Sequence, residues 1–118
     1  MNIIRKTLLL DSKEYFTKHL LIINHILPKQ MTPKEAEVIA SFMSLEGDIA
    51  KYPFGTTGRK LVRSMLNISA GGLGNYLDQL KRKGFITDSK EKGLQILPIL
   101  RPDAKIQGYQ FKLKNKDV

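Results

Sequence analysis

Cysteine is absent from this 118-residue chain, and so is tryptophan. The first absence excludes a disulfide framework and any thiolate metal centre. Histidine occurs only as His19 and His25, six positions apart. On a helix that spacing leaves the two rings about 240° apart around the axis, so the pair does not hold a metal by itself. Long hydrophobic runs are also missing. The longest, Leu20 to Leu27, is broken by Asn24 and His25 and falls short of the roughly 20 residues a bilayer-spanning helix needs. The amino terminus shows neither the continuous apolar stretch nor the small-residue cleavage pattern of a secretory signal. The expectation is a cytoplasmic or nucleoid-associated protein with no membrane partner. The eleven acids are scattered, and neither a paired-carboxylate nor a Ser-His-Asp constellation can be assembled from them. Gly71-Gly72-Leu73-Gly74 and Gly55-Thr56-Thr57-Gly58-Arg59-Lys60 look like phosphate loops only in their glycines, because both lack the Lys-Ser/Thr ending. The expectation is therefore no enzyme, no cofactor, no metal and no small-molecule ligand.

What the chain has in excess is positive charge. Twenty Lys and Arg stand against eleven Asp and Glu, a formal net charge of +9. Residues 1–58 hold seven basic and six acidic side chains, whereas residues 59–118 hold thirteen and five. That asymmetry points to a polyanion met by one part of the molecule, because neutralising phosphates releases their counterions. Charge kept for solubility is the alternative. With 42% hydrophobic and 26% charged residues, the composition is that of a globular chain, long enough for one domain with an ordinary core.

Asn2 to Leu10 is mostly apolar with Arg5 and Lys6 inserted, a strand or an arm packing along the domain. Ser12 is the expected N-cap of a helix reaching Leu27, where Pro28 stops it. Phe16, Leu20, Ile23 and Leu27 give that helix an apolar face, which either caps the core or receives a protein partner or second copy. Thr32-Pro33-Lys34-Glu35 combines a capping threonine, proline at the first helical position and a glutamate that closes a capping box. A helix to about Glu46 should follow, with Ala36, Ile39, Ala40 and Met43 buried and Gly47 as its left-handed stop. From Gly58 a short amphipathic helix runs to Leu66, then the turn Asn67-Ile68-Ser69, then a helix from Ala70 to about Lys83 ended by Gly84. Leu73, Leu77 and Leu80 of this helix share one face and are expected to pack on Leu61, Met65 and Ile68. Leu94–Leu100 and Ile106–Lys114 read as a hairpin turning at Arg101–Lys105, with Lys90–Gly93 as the alternative turn. Pro98 must then sit at an edge or bulge.

The order helix, helix, turn, helix, hairpin resembles the winged helix-turn-helix superfamily, and residues 61–86 are similar to a MarR-type regulator. The residues carrying the resemblance are Leu61 to Ser69, Leu73, Tyr76 to Leu80, Lys83 to Ile86, and the Thr32 to Glu35 helix start. At the carboxy-terminal end a strand and a polar tail stand where MarR-type proteins carry a long dimerising helix. The resemblance implies an α+β, mainly α fold, a three-helix core with a hairpin wing over residues 32–118, with an arm and extra helix over residues 1–31. It also implies that the second helix of the motif enters the major groove of duplex DNA. Base contacts then fall to Ser69, Ala70, Gly71, Gly72, Gly74, Asn75 and Gln79, the two amides suiting adenine edges. Phosphate contacts fall to Thr56, Thr57, Arg59, Lys60, Arg63, Lys81, Arg82 and Lys83, and wing contacts to Lys90, Lys92, Arg101 and Lys105. Lys81 to Lys83 have a second reading as simple complements of the helix dipole. Three glycines near the start of one helix cost about 1 kcal/mol each relative to alanine, so close approach to phosphate or tight packing must offset them. Two functions follow as expectations: weakly specific duplex binding as a transcriptional regulator or architectural protein, or a protein-contact module in a replication, transcription or virion assembly.

Overall fold

The computed structural model describes residues 2–103 and 105–117. Among them are α1 (Ser12–Ile23), α2 (Pro33–Met43), α3 (Thr56–Leu66) and α4 (Ala70–Arg82), followed by an antiparallel hairpin of β1 (Ile86–Ser89) and β2 (Gly93–Ile96). The fold is α+β and mainly helical. No helix among the described residues is long and apolar enough to cross a membrane.

Helix α2 is the hub, touching α1, α3 and α4. Its start has the geometry its sequence dictates. Thr32 Oγ1 accepts from the Glu35 amide at 3.1 Å, Glu35 Oε1 accepts from the Thr32 amide at 2.8 Å, and Pro33 opens the first turn. Ala36, Ile39, Ala40 and Met43 are buried as expected, and so are Val38, Ser41 and Phe42. A helix covered nearly all round is an interior helix. It ends at Met43, short of Glu46. Gly47 does adopt a positive φ of 69°, but it opens a 3₁₀ turn, Gly47–Lys51, instead of closing α2.

Helix α1 is capped by Asp11, whose carboxylate accepts from the Glu14 amide at 2.9 Å. Ser12, the expected cap, is its first residue. The α-helix stops at Ile23 and tightens into a 3₁₀ turn, Asn24–Ile26. Asn24 explains why a polar residue interrupts the apolar run. Its side chain donates to the Met31 carbonyl at 3.0 Å and accepts from the Met31 amide at 2.7 Å, clasping the loop so that α1 folds back on α2. Leu20 is fully buried, and Phe16, Ile23 and Leu27 pack against the same core. This face packs on the core of its own copy.

The expected hairpin is corrected. β1 pairs with β2, Ile86 opposite Ile96 and Ser89 opposite Gly93, so the turn is Lys90–Lys92 and not Arg101–Lys105. Proline is the reason: Pro98 cannot donate to a ladder, and Pro98–Leu100 instead forms a 3₁₀ turn. Residues 106–114 are not in a sheet. Ala104, inside the expected turn, lies outside the described residues.

Candidate nucleic-acid interface

Helices α3 and α4 are joined by the turn Asn67–Ser69. Asn67 sits in the left-handed region at φ 53°, and the Ile68 amide reaches back to the Arg63 carbonyl at 3.1 Å, which ends α3 sharply. The packing between the two helices differs from the expectation. Leu61 and Met65 are exposed, and Gly58, Val62 and Leu66 form the buried stripe of α3, with Ile68 partly buried beside it. The cause lies at Gly58. A Cβ there would fall 1.9 Å from the Pro53 carbonyl oxygen, so the bare backbone seats against the preceding loop and fixes the rotation of the helix. Phe54 of that loop stacks on Phe42 of α2 with ring centroids 4.5 Å apart. α3 also begins earlier than Gly58, at Thr56, which puts Thr56 and Thr57 in its exposed first turn.

The rotation of α3 gathers the cations. Arg59, Lys60 and Arg63 line a groove of about 220 Å³ together with Thr56 and with Ala70 and Leu73 from the first turn of α4. Arg59 is positioned by a bond from its Nε to the Phe54 carbonyl at 2.7 Å. Ser69 caps α4 by accepting from the Gly72 amide at 3.0 Å. The Ala70 and Gly71 amides have no acceptor among the described residues and belong to an exposed helix end, where the dipole is positive. Ser69, Ala70 and Gly71 are exposed, while Leu73, Leu77 and Leu80 anchor the opposite face in the core.

The three glycines divide. At Gly71 and Gly74 an added Cβ would meet nothing within 4 Å, whereas at Gly72 it would come within 3.2 Å of the Ser69 hydroxyl. Internal packing therefore accounts for Gly72 through the cap, and asks for no glycine at the other two positions. Along the outward face Asn75, Asp78, Gln79 and Arg82 are all exposed. The spacing of Asp78 from Asn75 and Arg82 places it between them on this face.

At its far end α4 closes in a Schellman motif. The Phe85 amide bonds the Leu80 carbonyl and the Gly84 amide the Lys81 carbonyl, both at 3.0 Å, with Gly84 at φ 81°. Lys81 and Arg82 point to solvent. Lys83 turns inward, its Nζ 2.6 Å from Glu35 Oε1 and 3.0 Å from the Gln30 carbonyl. It ties α4 to the start of α2 and its ammonium is not free for phosphate. Burial alone would push the Glu35 carboxyl up, but the hydrogen bonds from Lys83 and Thr32 together hold it below the usual glutamate range. Its other oxygen, Oε2, is buried with no hydrogen-bond partner among the described residues.

Lys90 and Lys92 are exposed at the hairpin tip, where the Ser89 hydroxyl accepts from the Lys92 amide at 3.0 Å, and Glu91 sits between them. Arg101 closes the last 3₁₀ turn and Lys105 follows it, so neither is a tip residue. No protein-family model matches this chain, and neither does a curated protein or a solved structure.

Proposed function

We propose that this chain is a winged helix-turn-helix module that binds duplex DNA with weak sequence preference, in the manner of a transcriptional regulator or architectural protein. It acts by binding, not catalysis. α3 crosses a phosphate backbone, α4 enters the major groove amino end first, and the Lys90–Lys92 tip reaches toward the adjacent minor groove. The observation that carries this reading is the first turn of α4. It is exposed, rimmed by Arg59, Lys60 and Arg63, and bare at Gly71 and Gly74 where no internal neighbour requires a glycine. A backbone without side chains lets phosphate approach the free amides directly. It also leaves only Asn75, Asp78, Gln79 and Arg82 long enough to read base edges, so shape and deformability of the duplex weigh more than sequence.

Fluorescence-anisotropy titration on duplexes across a salt series tests this. With Arg59, Lys60, Arg63, Arg82, Lys90 and Lys92 each neutralising a phosphate, log affinity should fall with a slope of about −5 per log unit of salt. No binding to any duplex at low salt contradicts the proposal. A second reading is favoured by one observation, the exposed Asp78 carboxylate two turns along the same bare face, which suits a protein surface better than a phosphate. Under that reading DNA affinity follows net charge alone and is indifferent to alanine at Gly71 and Gly74.

A further inference from the structure

Both histidines of the chain meet its carboxy-terminal tail, residues 105–117. His19 lies on α1 and His25 in the 3₁₀ turn after it, and their partners are Tyr109 and Phe111. No backbone–backbone hydrogen bond among the described residues holds this tail, so side chains carry its attachment. Tyr109 is 37% exposed and Phe111 52%, against 88% for Ile106 before them and 98% for Leu113 after them. The tail is covered where the imidazoles stand.

His19 is the buried one of the pair, and its hydrogen bonds fix which nitrogen carries the proton. The Leu100 carbonyl can only accept, so Nε2 holds the hydrogen and donates at 3.1 Å. The other nitrogen of a neutral ring offers only a lone pair, and Nδ1 accepts from the Tyr109 hydroxyl. Burial first and the neighbouring Tyr15 second push that hydroxyl above its ordinary 10.0, so it keeps its proton and donates. A second proton on the ring reverses the bond. Nδ1 then becomes a donor facing a donor, and a cation is created in a covered site. The Leu100 carbonyl and the Asp103 carboxylate ease that cation, but burial outweighs them and holds the imidazole below its ordinary 6.5. The charged groups of α2 are engaged elsewhere, Glu37 with Lys13 and Lys34 and Glu35 with Lys83. His25 differs, because it is exposed and meets Phe111 by an edge-to-face ring contact at 6.0 Å, which a proton does not reverse.

We propose that the tail is a proton-operated strap: Tyr109 fastens it to α1 while the His19 imidazole is neutral, and protonation of that ring releases it. Once the tail is off, the Nδ1 edge faces water and takes a proton more readily, so fastening excludes a proton. Attachment is therefore fully present above about pH 6.5 and is lost as pH falls through the lower value of the fastened state. The released segment carries Lys112, Lys114 and Lys116, and its departure uncovers the His19 side of α1. The strap does not rest on the DNA reading.

Backbone relaxation and imidazole titration by NMR on the full chain, from about pH 8 to about pH 5, test the strap. This range lies above the acid region in which the Glu35 carboxyl takes its proton, so the tie between α2 and α4 stays intact. Order parameters at residues 109–111 should drop from about 0.85 to below about 0.6 with the midpoint of the His19 titration, while those of α2 and α4 stay unchanged. Tyr109→Phe removes one hydroxyl and no part of the core. It should loosen the tail at the alkaline end and raise the His19 midpoint, because the neutral ring loses its donor. His19→Gln, with circular dichroism to confirm folding, should abolish the pH response, and His25→Gln should keep it. If His19→Gln does not fold, Tyr109→Phe decides, and an unmoved His19 midpoint overturns the proposal. So does a tail already mobile at the alkaline end, a tail still ordered at the acid end, or a response that persists in His19→Gln.

Discussion

Gly58 and Gly71 are the same residue near the starts of consecutive helices, and they stand for opposite uses of a missing side chain. At Gly58 an added Cβ collides with the Pro53 carbonyl at 1.9 Å, and at Gly71 it meets nothing within 4 Å. The first glycine is required by the fold. The second, with Gly74, weakens its helix and has no close neighbour among the described residues; the proposed approach of phosphate would give it a use. The same contrast separates whole helices. α2 is buried on nearly every side and locked by its capping box, whereas α4 buries Leu73, Leu77 and Leu80 and leaves its other face to solvent.

Substitutions can break that comparison or sharpen it. Gly58→Ala should have the largest effect, a loss of about 3 kcal/mol in chemical denaturation, because backbone and not a flexible side chain stands in the way. A loss under about 1 kcal/mol would mean that the loop around Pro53 yields, and that the rotation of α3 has another cause. Glu35→Ala should cost somewhat less, about 2 kcal/mol, by leaving the half-buried Lys83 ammonium and the Thr32 amide without their shared acceptor. The sign of its pH dependence follows from the lowered carboxyl. The stabilisation is fully present above the ordinary glutamate value of 4.5 and is lost as pH falls through the lower folded value. Urea denaturation of wild type and Glu35→Ala should therefore converge in acid, and curves that stay parallel would show that the pair is not ionised.

The helices were legible in the sequence wherever local chemistry decides. Thr32 to Glu35 set the start of α2, Gly84 the end of α4, and Leu73, Leu77 and Leu80 the inward face of α4. The errors came where a distant partner decides. Leu61 and Met65 have helical spacing as good as that of Gly58, Val62 and Leu66, and only the contact of Gly58 with Pro53 selects the second set. The pairing of β1 with β2 was visible as an alternative turn, but the alternation at Tyr109, Phe111 and Leu113 made the later segment look like a hairpin strand. That alternation fits a tail laid along α1, where Tyr109 and Phe111 meet His19 and His25, contacts about 90 positions apart in sequence that no local pattern announces. For the candidate site, the cations of α3 and the glycines of α4 were each recognisable. Their meeting in one groove, and the diversion of Lys83 to Glu35, depend on helix packing and on a buried carboxylate.

The claim that the bare first turn of α4 is a contact surface is tested most directly by Gly71→Ala combined with Gly74→Ala, measured for stability and for duplex affinity on the same preparation. Both methyl groups enter open space, so the helix should gain on the order of 1 kcal/mol, while duplex affinity should fall about tenfold as the backbone is held away from phosphate. A more stable protein that binds duplex as tightly as wild type would contradict the account.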